Sequence, residues 1–446
     1  MKGWPQYRPS SIRKRTLAIW KDDQLVTEHG EWTKVSDWQE LKQLAKGLDI
    51  YVDHLLECSW FYEAIEDNNV EIIATKSMSI RMIKWRSGRH ILSVNQVDTW
   101  LHGWPAGPQF LDILRRLFDY CQIGELSTPA SLGMYCMSSL FDDKRQAEPH
   151  TRDREILLEH MVGGRDDLLQ KGTYDLCYEY DIRSAYASKA CQLPSGSSIK
   201  MWGERDDLPA YFSSCVVVIR EPLVMGVFHM ERDGHLHYPT ETGLYKVWLW
   251  NDEIQRCKEA GCFVLVENGI GWSNTTTGLT PWAHHMDKLR RDADEDIAGL
   301  IKIATVAAIG RFGVDPWRVR VVHERDRQEG DEPLNIGYQP HSWLWTRQEY
   351  ASGCYMTHWS SYIMMATRIA LYDRMLAEIG SGNVVLMSNF DGLYTLYPTK
   401  LETKDELGSW QFKRVHTHAF IPYARAIISD QKNIQPGMPL KYRNVM

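Results

Sequence analysis

Two strand-forming runs, far apart in the chain, each bring an aspartate to one end. Leu176-Cys-Tyr-Glu-Tyr-Asp181 alternates with period two and closes on a carboxylate. The runs 384–387 and 393–396 are apolar and flank Ser388-Asn-Phe-Asp-Gly392, which reads as a hairpin with Asp391 in its tight turn. On neighbouring strands of one sheet, these carboxylates can bridge a pair of divalent ions. Joining a nucleotide to a 3′-hydroxyl needs two such ions, about 3.5–4 Å apart, on the attacking and leaving oxygens. Hard ions such as Mg²⁺ or Mn²⁺ take carboxylate oxygens, phosphates and water. Either aspartate alone reads as an ordinary turn or cap residue.

The rest of the chain is organised around these runs. Residues 16–150 alternate helix and strand signals, an α/β pattern. A helix is predicted over 36–46 with Ser36 as its N-cap, a strand at 49–52, a helix over 55–68, paired strands at 70–85 and 90–96, and a helix over 112–121. The polar stretch 146–154 reads as a boundary, and Gly163-Gly164 marks a turn or close backbone approach. Strands follow at 216–220 and 263–267. Helices are predicted over 289–309 and over 358–379, the second stopping at Gly380. On the first of these, Arg291 and Lys302 are eleven residues apart, so one face would carry both, with Arg290 rotated away from Arg291. A row of cations suits a triphosphate. The competing reading is a solvated face paired with Asp292, Asp294, Glu295 and Asp296. The small apolar run after Lys302 favours a flat face toward a ligand.

Composition narrows the function classes only a little. The formal net charge is −7, so any nucleic-acid surface must be a local groove. Residues 400–446 are locally basic, with eight Lys/Arg against four Asp/Glu. The nine cysteines form no C-x-x-C pair and read as reduced thiols of a cytoplasmic protein. No apolar run spans a bilayer, so no membrane partner is expected, and the basic start lacks the apolar stretch of a secretory leader. Most of the eighteen tryptophans are expected in the core rather than stacked on bases.

In order and spacing, segments between about 160 and 430 resemble the polymerase core of family B DNA polymerases, most of all the protein-primed branch of phages and plasmids. Tyr180-Asp-Ile-Arg-Ser-Ala-Tyr186 resembles motif A, D-x-x-S-L-Y-P, and Leu193-Pro-Ser-Gly196 the L-P-x-G after it. Lys302 to Gly310 resembles motif B, K-x-x-x-N-S-x-Y-G, and Ser388 to Gly392 resembles motif C, Y-x-D-T-D-S. Gly163-Gly164 stands where the family has Y-x-G-G, and Thr276-Thr-Gly-Leu279 and Leu407-Gly-Ser-Trp410 match shorter family segments.

The resemblance implies an α/β amino-terminal domain of the ribonuclease H-like exonuclease fold over 1–155. It implies an α+β palm and fingers with an antiparallel palm sheet over 156–430, then a tail at 431–446 with the thumb absent. It makes Asp181 and Asp391 the metal-bridging, catalytic pair and Tyr186 the steric gate against ribose. Ile182, Arg183, Ser184 and Ala185 would offer backbone amides to the triphosphate. Lys302 and Arg290 or Arg291 would bind its phosphates, and Tyr423 would sit near the primer end. The implied partners are primer–template or single-stranded DNA, dNTPs, and a terminal protein or processivity factor, with two Mg²⁺ or Mn²⁺ ions.

The chain departs from the family at defined places. Val306, Ala307 and Ile309 replace the polar residues of motif B, Asn389 the first motif C aspartate, and Ile421 the lysine of K-x-Y. Tyr51-Val-Asp-His-Leu-Leu-Glu57 resembles an exonuclease segment, with Asp53 and Glu57 in its acidic places. The opening D-x-E pair has no match around Leu17-Ala-Ile-Trp20, so no proofreading is expected. Trp343, Trp345, Tyr350, Tyr355 and Trp359, with Arg347, read equally as a strand-stacking surface or a small aromatic core. Three functions compete: a template-dependent polymerase, a non-catalytic nucleic-acid-binding protein with a polymerase fold, and a template-independent nucleotidyltransferase.

Overall fold

A computed structural model describes residues 16–434, apart from 31, 45–47, 68, 75–79, 88–89, 98–99, 101–105, 124–127, 142–147, 233–234, 315–316, 337–338, 351–354 and 402–403. The chain forms two compact units. One takes the described residues of Leu140–Asp287 and Tyr355–Met446; the other takes those of Lys2–Ser139 and Lys288–Cys354. The chain therefore returns to its amino-terminal unit after residue 287, where the sequence reading had one boundary near 146–154.

In the unit that carries Asp181, a six-stranded antiparallel sheet is centred on Gly172–Ile182. Its order is Val385–Asn389, Gly392–Thr395, Gly172–Ile182, Trp410–Ile421, Ile427–Ile428 and Asn433–Ile434. The long helix Thr357–Gly380 packs on this sheet, with Leu371, Tyr372 and Met375 in one core with Tyr180, Val385 and Leu393. Burial of such side chains, roughly 1.5–3 kcal/mol each, fixes the sheet register. The helix ends through Gly382 at φ +83°, with the Asn383 amide donating to the Glu378 carbonyl at 3.0 Å. A four-stranded sheet, Ile199–Trp202, Phe263–Trp272, Ala210–Ile219 and Gly243–Trp250, completes the framework. Trp250 and Trp272 stack at 5.4 Å, and Tyr355 and Trp359 are buried. These aromatics serve the core.

The other unit holds a ten-stranded mixed sheet. Thr16–Lys21, Leu48–Val52 and His90–Gln96 run parallel side by side. Trp317–His323 joins this sheet beside Val70–Ala74, through Arg320 opposite Ile73. That pairing is why residues 288–354 belong here. Two local expectations change. Asp37, not Ser36, caps Trp38–Leu44 by accepting the Glu40 amide at 2.8 Å, while Ser36 binds the Glu40 carboxylate. The helix predicted over 289–309 is two helices, Thr280–Asp292 and Glu295–Phe312. Asp294 breaks it by accepting the Ile297 amide at 3.1 Å as the second helix's N-cap. Arg290 and Arg291 therefore do not share a helix with Lys302, and the one-face argument for them fails. Arg347 pairs with Asp331, and Arg327 lies 3.5 Å over the Trp345 ring. The side chains of Trp343 and Tyr350 fall outside the described residues.

Candidate active site

The site is built where three strands end together. Asp181 lies opposite Gly392 on one side and Gln411 on the other. The Ile182 amide donates to the Asp391 carbonyl at 3.0 Å. Asp391, the turn residue before Gly392, is thus one register step from Asp181. Asp181 Oδ2 meets Lys413 Nζ at 3.1 Å, and Oδ1 is buried with no hydrogen-bond partner. A buried carboxylate oxygen without a donor is costly. A hard cation supplies what that oxygen lacks, so the donor set fits a divalent ion. Among the described residues, no cluster of three or more His, Cys, Asp or Glu could hold a metal. A divalent ion at Asp181 would therefore need phosphate and water oxygens to complete its coordination shell.

The Asp391 turn is strained and braced. Phe390 has φ +56°, at the first turn position where glycine is usual. Its amide donates to the Arg165 carbonyl at 2.9 Å and to Asp166 Oδ1 at 3.2 Å. Gly164 passes so close that a Cβ there would lie 2.7 Å from the Phe390 ring. Burial raises the Asp166 carboxyl, against the opposing pull of Arg425. Arg368, from the long helix, donates to the carbonyls of Val162 and Gly163 at 2.8 and 3.0 Å, and so ties the Gly163-Gly164 segment down.

The loop after Asp181 is largely engaged. The Arg183 amide donates to the Ser409 carbonyl at 2.9 Å. With the Ile182 amide given to Asp391, two of the four amides expected to face a triphosphate are committed elsewhere. Buried Asp287 accepts from Arg183 Nε at 3.1 Å and from Ser184 Oγ at 2.9 Å, and Arg183 also pairs with Asp405. Ser184 has φ +45° and leads into the short helix Ala185–Lys189. Burial raises the Tyr186 hydroxyl pKa, and the charges of Asp391 and Asp166 raise it further. That ring stays neutral beside the aspartates. Tyr423 is exposed on the loop after Trp410–Ile421.

Arg290, Arg291 and Lys302 are carried by the other unit. Lys302 lies on an exposed stripe with Gly299, Val306 and Gly310, where a Cβ on either glycine would meet nothing. Arg116 pairs there with Asp294 at 2.5 Å, so the acidic run has a partner of its own.

Two features escaped sequence reasoning. Glu179 faces the same side as Asp181 and is ringed by His416 Nε2 at 2.9 Å, Lys432 Nζ at 2.6 Å, Tyr394 Oη at 3.0 Å and Arg414 Nε at 3.3 Å. Burial works to raise its carboxyl, but the hydrogen bonds of His416 and Lys432 outweigh that and bring it to about 2. Lys413 is the second; its strand bulges between Phe412 and Arg414. The alternation Cys177, Glu179, Asp181 was the available signal for the first.

In the other unit's sheet, Leu17 and Ile19 are 0% and 1% exposed. Asp53 accepts the Ala106 amide, and Glu57 is exposed.

No protein-family model matches the chain, and no curated protein matches it. Solved structures do. Phi29 DNA polymerase complexed with single-stranded DNA is similar at TM-score 0.70 and 14% identity, over 97% of this chain and 94% of that one. The same polymerase with primer-template DNA and incoming nucleotide substrates gives TM-score 0.71 and 13% identity, over 97% and 94%. The chain has a DNA polymerase-like fold. Mixed α/β content and several sheets run through the described residues. Among the described residues, no helix is long and apolar enough to cross a membrane.

Proposed function

We propose that the chain is a DNA-directed DNA polymerase of the protein-primed family B kind, adding dNTPs to a 3′-hydroxyl without proofreading. One observation carries this reading: Asp391, in the turn that leads into Gly392, is one register step from Asp181 on the adjoining strand, and Asp181 presents a buried, unpartnered oxygen. Asp181 and Asp391 would hold two Mg²⁺ or Mn²⁺ ions, which would supply Lewis-acid stabilisation of the transferring phosphoryl group. Around them the chain binds and orients. Lys413 holds Asp181 Oδ2 in place at 3.1 Å. Tyr186, neutral and half-buried, closes the space beside the sugar. Ser184 and Ala185 keep amides for the triphosphate. Tyr423 borders the primer end. The resemblance of 1–155 to an exonuclease domain, with Leu17 and Ile19 buried where its D-x-E pair finds no match, supports the absence of proofreading. A second reading, a polymerase fold that binds nucleic acid without catalysis, is favoured by Asn389 in motif C and by the Lys413–Asp181 pair.

The purified protein with labelled dNTPs, Mg²⁺ or Mn²⁺, and a primer with or without template separates these readings. Template-dependent extension is expected, falling on the order of 10³-fold or more in Asp181→Asn and Asp391→Asn. Extension without template would assign a template-independent transferase. DNA binding with no extension would leave the non-catalytic reading.

A further inference from the structure

Three separate segments converge on one carboxylate behind the Asp391 turn. Asp166 follows the Gly163-Gly164 pair and is 9% exposed at its side chain. Its Oδ1 accepts the Phe390 amide at 3.2 Å, and its Oδ2 accepts Arg425 Nε at 2.7 Å. Arg425 in turn lies 4.6 Å over the Phe390 ring. Both partners occupy the left-handed region, Phe390 at φ +56° and Arg425 at φ +67°. A non-glycine residue there persists only where its surroundings hold it. Phe390 is held by one carboxylate oxygen, one carbonyl and one guanidinium face. Arg425 is held by the other oxygen. Phe390 immediately precedes Asp391, and Arg425 follows Tyr423 by two residues. A single side chain thus restrains the turn that aims Asp391 and the loop that carries Tyr423.

We propose that Asp166, acting through Phe390 and Arg425, is a positioning residue that aims Asp391. This rests on the reading of Asp181 and Asp391 as ion-binding. Asp166 is not assigned as an ion ligand, because both of its oxygens are already engaged by donors.

The test measures Mn²⁺ binding by electron paramagnetic resonance, with hydrogen exchange of the hairpin peptide, in wild type, Asp166→Ala, Asp166→Asn and Arg425→Gln. Asp166→Ala and Arg425→Gln are each expected to weaken Mn²⁺ binding about tenfold and to speed exchange at the turn, while the number of ions bound at saturation stays the same. Asp166→Asn keeps an acceptor for the Phe390 amide and loses the ion pair, so it should fall between wild type and alanine. Wild-type Mn²⁺ affinity in Asp166→Ala would overturn the proposal and leave the ion-binding pair intact. Tighter binding in Arg425→Gln, with an ion lost in Asp166→Ala, would overturn it by making Asp166 a direct ligand. Absence of Mn²⁺ binding in wild type would overturn both the pair and its positioning. Mn²⁺ binding without primer extension would sink the polymerase reading alone.

Discussion

The strand Gly172–Ile182 ends in Asp181, with an oxygen left unpartnered, whereas Thr16–Lys21 places Leu17 and Ile19 in the core. Both strands lie inside their sheets; the family resemblance gives the first one metal carboxylate, Asp181, and would give the second a D-x-E pair that has no match here. One keeps its acid at the cost of an unsatisfied buried oxygen. The other buries aliphatic side chains, at about 1.5–3 kcal/mol each. A strand position that must hold a charge for function remains locally unfavourable; one released from that duty moves toward the core.

Returning an acid to the second strand should break the comparison most visibly. Leu17→Asp should cost on the order of 3–5 kcal/mol by denaturant unfolding, since an unpaired carboxylate would be buried there, and should yield no 3′–5′ nuclease. A folded variant that degrades DNA would show that the site had only lost its ligands.

Glu179→Gln should destabilise the Asp181 unit by about 3 kcal/mol, because His416, Lys432 and Arg414 lose their anion. The sign with pH follows from the depressed carboxyl. With a folded value of about 2 against an ordinary 4.5, its contribution is full above about pH 4.5 and is lost as pH falls toward 2. Acid unfolding of Glu179→Gln should lack that component; identical acid limbs in the two proteins would remove Glu179 from the account.

Tyr186→Ala should leave the fold intact and relax discrimination against ribonucleotides by about 10- to 100-fold, read as the ratio of kcat/KM for dNTP and rNTP. An unchanged ratio would remove the gate. The smallest effect is expected at Gly164→Ala. Its Cβ would press on Phe390 at 2.7 and 2.9 Å, costing about 1–3 kcal/mol, with a slower turnover if the Asp391 turn moves.

Much of this site was legible because its signals are local. Alternation into Asp181 and the turn chemistry around Asp391 are properties of short segments, and the structure places those strands side by side. The helix break was also written locally, in Asp294, but the acidic run at 292–296 was read as partners for a continuous helix rather than as a cap. What was not legible is non-local. Glu179 draws donors from positions 394, 414, 416 and 432, and no spacing near 179 announces them. Residues 317–323 join the amino-terminal sheet through a single register pair with Ile73, which alternation alone does not choose. Asp166 and Arg425 lie 259 positions apart.

The most direct measurement is anomalous diffraction from crystals of the protein with primer–template, an incoming dNTP and Mn²⁺. Two peaks about 3.5–4 Å apart, both between Asp181 and Asp391, are the expected result. Peaks lying elsewhere, or none beside these side chains while DNA and nucleotide are bound, would contradict the assignment of nucleotide joining to this strand-end pair.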